Sequence, residues 1–226
     1  MNKKLTIKNG TITIEDGKIT IDFDENNLIE ETPNDCISDN KVKLSELKPG
    51  DEFYIGAFVY VVVDHIDGTT KVISKKITHE MAFSYDRSNN YLVSDIRKIL
   101  NSRDYDHITN YIDKHNIVPT QCDTAAMDGS GNYGTPEYGM PEDNITILSV
   151  KEYYEYYNIL HAIPNFTAES QWLSTPVSTK NKIKSFVCTI DRDGLIEYMH
   201  SNIQNIGVRP FFTLKSSTEV KPYTDN

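Results

Sequence analysis

The sequence predicts an α+β protein in which antiparallel strands are more numerous than helices. Apolar runs rich in β-branched and aromatic residues are separated by Asn-Gly and Asp-Gly pairs, which is the pattern of β-hairpins. Two to three short segments carry helix-start signals followed by apolar residues at helical spacing. A stretch rich in glycine and proline, residues 119–143, indicates a long irregular loop.

Residues 1–25 predict a three-stranded antiparallel β meander. The Asn-Gly pair at position 9 and the Asp-Gly pair at position 16 suit two-residue turns. In the expected register, Leu5 lies opposite Ile14 in the first hairpin, and Ile14 lies opposite Ile19 in the second. Strand alternation then puts six apolar residues on one face: Leu5, Ile7, Ile12, Ile14, Ile19 and Ile21.

A lone three-stranded sheet cannot bury such a face by itself. It must pack either on the rest of the chain or on copies of itself, and we favour a homo-oligomer, with a trimer first. An acidic, asparagine-rich linker is expected at 26–41, the main domain at 42–217, and a polar, mobile tail at 218–226.

The main domain should open with a turn that leads into a buried strand at 57–63, which Asp67-Gly68 turns back into a strand at 70–74. Ser94 is a good N-cap for a helix at 94–102. A second helix is expected at 106–116, with Ile108, Tyr111 and Ile112 facing inward.

A third helix should begin at Ser149, because Ser149 and Glu152 form a capping-box pattern. Four residues that follow at helical spacing are expected in the core: Tyr153, Tyr156, Tyr157 and Leu160. The last third predicts a strand that carries Trp172, a hairpin that turns at 191–194, and a closing strand at 206–214.

The loop at 119–143 holds the candidate ligand-binding residues. Tyr133 and Tyr138 are spaced along glycine-rich backbone, as the rigid anchors of recognition loops are. Two aspartates of the same loop, Asp123 and Asp128, are the other candidate ligand-binding residues. The alternative, a loop that packs over the core and binds nothing, stays open.

Four sequence blocks occur in order between about Leu44 and Ser217 and resemble an uncharacterised domain family from gut bacteria and their phages. The blocks are Ser94-Asp-Ile-Arg97-Lys-Ile-Leu100-Asn101, Asp143-Asn-Ile-Thr-Ile-Leu148-Ser149-Val-Lys-Glu152, Trp172-Leu-Ser-Thr-Pro176 and Gly207-Val-Arg209-Pro210.

The resemblance implies a C-type-lectin-like domain, with a central antiparallel sheet, two to three helices and a long loop region. It also implies structural roles for Arg97, Asn101, Trp172 and Arg209. Where the family has an arginine after Trp-Leu, this chain has Ser174, so no role of that arginine can be transferred. An unpaired charge on Arg209 would be costly to bury, so we expect it to bind a carboxylate or several backbone carbonyls.

Composition excludes several kinds of partner. The chain of 226 residues has a net charge of −10, which disfavours nucleic acid and anionic membranes. No run reaches the ~18 apolar residues of a membrane-spanning helix, and the N-terminus lacks the apolar segment of a signal peptide. The three scattered cysteines suit a reducing compartment, and neither they nor the histidines have metal-ligand spacing.

We therefore expect no cofactor, no metal and no catalysis; Cys122 with His115 or His161 is a weak candidate for a nucleophile and base. The first hypothesis is a recognition or structural module in a phage or prophage virion, either a receptor-binding or a decoration protein. Its partners would be other virion proteins and a cell-surface glycan or protein. The alternative is a soluble, phage-encoded inhibitor that binds a host protein inside the cell.

Overall fold

The structure is a computed structural model that describes residues 3–7, 10–15, 18–23, 41–127, 137–179 and 184–224, the first three ranges as strand backbone alone. The chain divides into two compact units, Met1–Asn40 and Lys41–Asn226. The second unit contains every side-chain contact discussed below.

The first unit contains the meander β1 (Lys3–Ile7), β2 (Gly10–Glu15) and β3 (Lys18–Phe23). The predicted register of the second hairpin is confirmed, with Ile14 opposite Ile19. The predicted register of the first is wrong, because Leu5 pairs with Ile12. Slipping a strand by two residues keeps every residue on its face, so the apolar alternation could not separate the two registers. The side chains proposed for oligomerisation lie outside the described residues: Leu5, Ile7, Ile12, Ile14, Ile19 and Ile21.

The second unit is built on a sheet of seven antiparallel strands in the order β4-β17-β5-β6-β7-β16-β9. Its strands are β4 (Val42–Lys43), β5 (Glu52–Ile55), β6 (Phe58–Ile66), β7 (Thr69–Ser74), β9 (Ile117–Val118), β16 (Phe211–Lys215) and β17 (Glu219–Pro222).

A second sheet of five strands has the order β14-β13-β12-β15-β8. It consists of β8 (His79–Glu80), β12 (Gln171–Pro176), β13 (Phe186–Ile190), β14 (Ile196–His200) and β15 (Gly207–Val208). The β12–β15 pair is parallel and the other pairs are antiparallel. The predicted Trp172 strand and its hairpin are therefore confirmed. A short pair, β10 (Thr120–Gln121) and β11 (Glu142–Asp143), closes the base of the long loop.

Both faces of the seven-stranded sheet are buried. Along β6, Tyr60 and Val62 belong to one apolar cluster, whereas Val61 and Val63 belong to another. This explains why the sequence shows an uninterrupted apolar run there instead of alternation. Trp172, which is 1% exposed, lies in the first cluster, where its Nε1 donates to the carbonyl of Met81.

The predicted mobile tail differs most from the structure. Glu219–Pro222 forms β17, which pairs with β4 and β5 in the large sheet. Val220 is buried at 3% exposure. A polar segment becomes a strand here because the edge of β5 offers unpaired backbone groups, and these make a template for another strand.

The helices are α1 (Asp95–Ile99), α2 (Tyr105–Thr109), α3 (Val150–Glu155) and α4 (Tyr157–Ala162). Ser94 caps α1, and the capping box at Ser149 is present. A π-helical turn, Leu100–Asp104, joins α1 to α2, so the two predicted helices at 94–102 and 106–116 form one continuous segment that ends near Thr109. Two tyrosines expected inside are exposed, Tyr111 at 59% and Tyr157 at 42%.

The residues to which the resemblance assigns structural roles make extensive hydrogen bonds. Arg97 holds the Asp143 carboxylate with Nε and Nη2 at 2.8 Å each and donates through Nη1 to the carbonyl of Leu92. Asn101 donates to the carbonyl of Ile145 at 2.9 Å. Arg209 donates to three backbone carbonyls, which matches the expectation.

Candidate functional site

A cleft formed by described residues of the second unit lies between the helical segment 95–109 and strand β6 and has a volume of about 650 Å³. Strand β6 contributes aromatic side chains, the helical segment contributes polar ones, and the segment that enters β8 contributes a histidine. Six of the residues that line the cleft are Phe58, Tyr60, His79, Asp104, Asp106 and His107.

A buried hydrogen bond between a histidine and an aspartate forms one wall of the cleft. His79 Nε2 lies 2.6 Å from Asp104 Oδ1, and both side chains are more than 85% buried. Pairing of His79 with Val208, between β8 and β15, fixes the histidine backbone. Asp104 is the last residue of the π-helical turn, a local insertion that often occurs at functional sites.

Two buried polar atoms of this cleft have no hydrogen-bond partner among the described residues: Asp104 Oδ2 and His107 Nε2. Leaving such a group unsatisfied costs about 1–3 kcal/mol, and more for a charged group. A protein normally avoids this cost with a protein partner, an ordered water or a ligand. These atoms are therefore the two polar groups beside the cleft that still lack a hydrogen bond to a described residue.

An aromatic row begins in the cleft, which Phe58 and His107 line, and continues to Tyr111 outside it. Phe58, which is 42% exposed, meets the His107 ring edge-on at 4.8 Å between centroids, and the His107 ring lies 5.5 Å from the Tyr111 ring. Tyr111 lies against the β5–β6 turn, where Gly56 has φ +59° and a Cβ would come 2.5 Å from the tyrosine ring. This position therefore needs glycine both for its backbone conformation and for the close approach of the ring.

Electrostatics at the base of the cleft favour neutral groups. Burial, and secondly the negative charge of Asp104, raise the pKa of the Tyr60 phenol well above its ordinary value, so the phenol stays protonated at neutral pH. Two carboxylates, Asp104 and Asp106, and a single guanidinium, Arg103, also line the cleft. This balance disfavours an anionic ligand.

Of the loop residues predicted from the sequence, the two that the structure describes, Asp123 and Tyr138, do not line this cleft. Asp123 Oδ1 accepts from the Ala125 amide at 2.9 Å, and the hydroxyl of Tyr138 donates to Asn89 Oδ1 at 2.8 Å. The Tyr138 hydrogen bond therefore fastens one described end of the loop to the domain, whereas the Asp123 side chain binds the backbone of the loop itself. Asp128 and Tyr133 lie outside the described residues.

Sequence reasoning missed His79, Asp104 and His107. A signal for part of this site was present, since Asp104 and His107 lie three positions apart in a helical segment. Nothing in the sequence pairs His79 with Asp104, which lies 25 positions further along the chain.

The alternative nucleophile does not fit the structure. Cys122 is 2% exposed, and burial raises the pKa of its thiol well above the ordinary value. A thiol in these surroundings is unreactive, because the thiolate is the nucleophile. In the part of the chain that the structure describes, no group of three or more His, Cys, Asp or Glu side chains is arranged to hold a metal ion.

The described helices are all too short or too polar to cross a membrane. Comparisons with protein-family models, with curated proteins and with solved structures find no match for this chain. The family resemblance therefore stays a prediction from the four sequence blocks, and the geometry of the cleft is the main guide to function.

Proposed function

We propose that the second unit is a non-enzymatic recognition module that binds a neutral, hydroxylated ligand, such as a sugar residue of a cell-surface glycan, in the cleft beside Phe58. The observation that carries the proposal is one exposed aromatic ring beside two buried, unpartnered polar atoms, Asp104 Oδ2 and His107 Nε2. A sugar presents an apolar C–H face to such a ring and hydroxyl groups that both donate and accept hydrogen bonds. Ligand pockets commonly combine apolar walls with a few convergent polar groups in this way.

The proposal of binding without catalysis is supported by the surroundings of His79. Its Nε2 is engaged by Asp104, and no serine, threonine or cysteine side chain among the described residues is hydrogen-bonded to the imidazole. Nucleophilic catalysis needs a nucleophile within hydrogen-bond reach of such a base. The pair therefore serves best to hold the Asp104 carboxylate in place.

We further propose that the module has the C-type-lectin-like fold and works in a phage or prophage virion. The order of elements supports the fold: strands, a helical segment, a long loop, the Trp172 strand, a hairpin and a closing strand. The meander β1–β3 would then join copies of the chain into a trimer. Light scattering tests this directly: the full chain should have three times the mass of its subunit, and a chain that begins at Lys41 should be monomeric.

A second function, inhibition of a host protein inside the cell, is favoured by a different surface. Four large side chains on and near α3, α4 and β14 are more than 40% exposed: Tyr154, Tyr157, Leu195 and Tyr198. Aromatic side chains are enriched at protein interfaces. Because the chain is strongly acidic, the partner of such a surface would be a basic protein.

A screen of neutral glycans followed by calorimetric titration tests the main proposal. Phe58→Ala should weaken binding about tenfold, in line with the loss of one aromatic contact. Tyr198→Ala, which removes an exposed aromatic ring from β14, should bind as the native protein does. Equal affinity of the two variants for the glycan would show that the cleft beside Phe58 is not the binding site. Capture of a basic host protein that Tyr198→Ala abolishes would favour the inhibitor instead.

A further inference from the structure

A second cleft, of about 570 Å³, lies between the segment after β7 and the loop that leads from α4 to β12. Its chemistry is the opposite of that of the first cleft. The charged and polar side chains that line it are Lys75, Lys76, Asn165, Glu169, Arg209 and Tyr223.

Arg209 forms the floor of this cleft and is 4% exposed. Its guanidinium donates Nε–H to Gln171 Oε1 at 2.9 Å, Nη1–H groups to the carbonyls of Ser74 and Lys75, and one Nη2–H to the carbonyl of Phe166 at 3.1 Å. All four acceptors are neutral. Since a guanidinium carries five N–H groups, one of them has no acceptor among the described residues.

The positive charge of Arg209 is therefore buried without a carboxylate in contact. Burial lowers the pKa of Arg209 to about 10, while the more distant Glu169 acts in the opposite direction, so the group remains protonated at neutral pH. The Phe166 ring lies 4.5 Å from the guanidinium carbon and shields it further. The floor of the cleft therefore holds a buried positive charge that contacts no carboxylate among the described residues.

Two lysines also line the cleft. Lys75 Nζ lies 2.6 Å from Glu52 Oε2 and 4.5 Å from the centre of the Tyr223 ring, so it is held at the rim. Lys76 is exposed next to it. When Glu52, the partner of Lys75, is counted with Glu169, the cleft has three cationic side chains and two carboxylates, in a chain whose net charge is −10.

Backbone strain is found at the same place. Asn165, which also lines the cleft, has φ +58°, in the left-handed region that non-glycine residues rarely adopt. Such conformations cost about 1–3 kcal/mol and are concentrated at ligand sites and switches.

We propose that this second cleft binds the anionic group, a carboxylate or a phosphate, of a small ligand, with Arg209 at its floor and Lys76 at its rim. The one Nη2–H group of Arg209 that has no acceptor among the described residues can donate a charge-assisted hydrogen bond to either anion. The site is independent of the first cleft, whose own carboxylates would repel the same ligand. Occupancy of one cleft therefore does not depend on the function proposed for the other.

The test is NMR titration of the full chain with inorganic phosphate and, separately, with glucuronate, at constant ionic strength. The Arg209 Nε–H resonance reports directly on the floor of the cleft. A saturable shift with phosphate alone assigns a phosphate site, and one with glucuronate alone assigns a carboxylate site. Absence of a saturable shift with either anion would overturn the proposal.

Charge-reversal variants separate a built site from general attraction of anions. Lys76→Glu should weaken the affinity for the responding anion about fivefold, as expected for reversing one exposed charge near the ligand. The matched control is Lys151→Glu, which changes an exposed lysine of α3 that does not line this cleft. The control should change the affinity less than twofold. Equal weakening by both variants would contradict the proposal.

Discussion

Replacing Arg97 with methionine should destabilise the protein strongly, because it would leave a buried carboxylate without its partner. Asp143 is 6% exposed, and its two oxygens accept three hydrogen bonds of 2.8 to 3.1 Å from Arg97. These bonds also raise the pKa of Arg97. They connect the helical segment to β11, at the base of the long loop.

Breaking a buried ion pair from one side typically costs about 3–5 kcal/mol. The Arg97 side chain is 31% exposed, so water can partly replace it, and we expect the lower end, about 3 kcal/mol. For a chain of this size, that loss lowers Tm by about 6–12 °C. Urea unfolding followed by circular dichroism at several temperatures measures both quantities.

The same helix offers a matched control. Lys98 pairs with Asp95 at 2.9 Å, but its side chain is 66% exposed. Lys98→Met should therefore cost less than about 1 kcal/mol. The double variant Arg97→Met/Asp143→Leu should regain part of the loss, since no unpaired charge remains. If the two single variants were equally stable, the assignment of Arg97 and Asp143 as a structural clamp would be wrong.

Three further predictions concern buried groups. Gly194→Ala should lower the free energy of unfolding, measured with urea, by about 1–3 kcal/mol, because φ is +80° and a Cβ would lie 2.7 Å from the His161 ring. A variant as stable as the native protein would contradict this turn geometry. In a Cys36→Ser variant, the Cys122 and Cys188 thiols should react with Ellman's reagent only after unfolding. Both thiols are buried and both have a raised pKa, which for Cys188 is about 12. Fast labelling of the native protein would refute their burial. The free energy of unfolding should fall as pH rises above about 10, because burial raises the pKa of Tyr60 above its value in the unfolded chain. Above that pH the unfolded chain releases a proton from Tyr60 that the folded chain keeps. The Tyr60→Phe variant should show a smaller fall over the same pH range.

Local signals in the sequence were sufficient for much of the fold. Ser94 and Ser149 were identifiable as helix caps because capping depends on hydrogen bonds within three residues along the chain. The hairpin that turns at Asp191-Arg-Asp-Gly194 is equally local. The strand at β6 needed only its β-branched and aromatic composition.

Long-range pairing was not accessible in the same way. The expectation for the tail failed because β17 exists only through the edges of β4 and β5, which lie far away in sequence. Tyr111 was placed inside from helical spacing, but the helix has ended before it, and its ring lies on Gly56. In both cases contacts with residues far away in the sequence outweigh the local sequence pattern.

The candidate site also depends on contacts between residues that are distant in the sequence. The sequence directed attention to the long loop, where the Tyr138 side chain is bound to Asn89 of the domain and the Asp123 side chain to the loop's own backbone. The cleft depends on a π-helical turn and on the two-residue strand β8 that holds His79. Neither element has a sequence pattern strong enough to predict it.

The most direct test of the account follows the His107 ring by NMR while a neutral glycan that binds the protein is added. The account predicts a saturable shift of the His107 Nε2 and Cε1 resonances, because the ligand would supply the partner that Nε2 lacks. It also predicts that the resonances of Tyr138 on the loop stay in place. A titration that shifts Tyr138 and leaves His107 unchanged would contradict the cleft and restore the long loop as the binding surface.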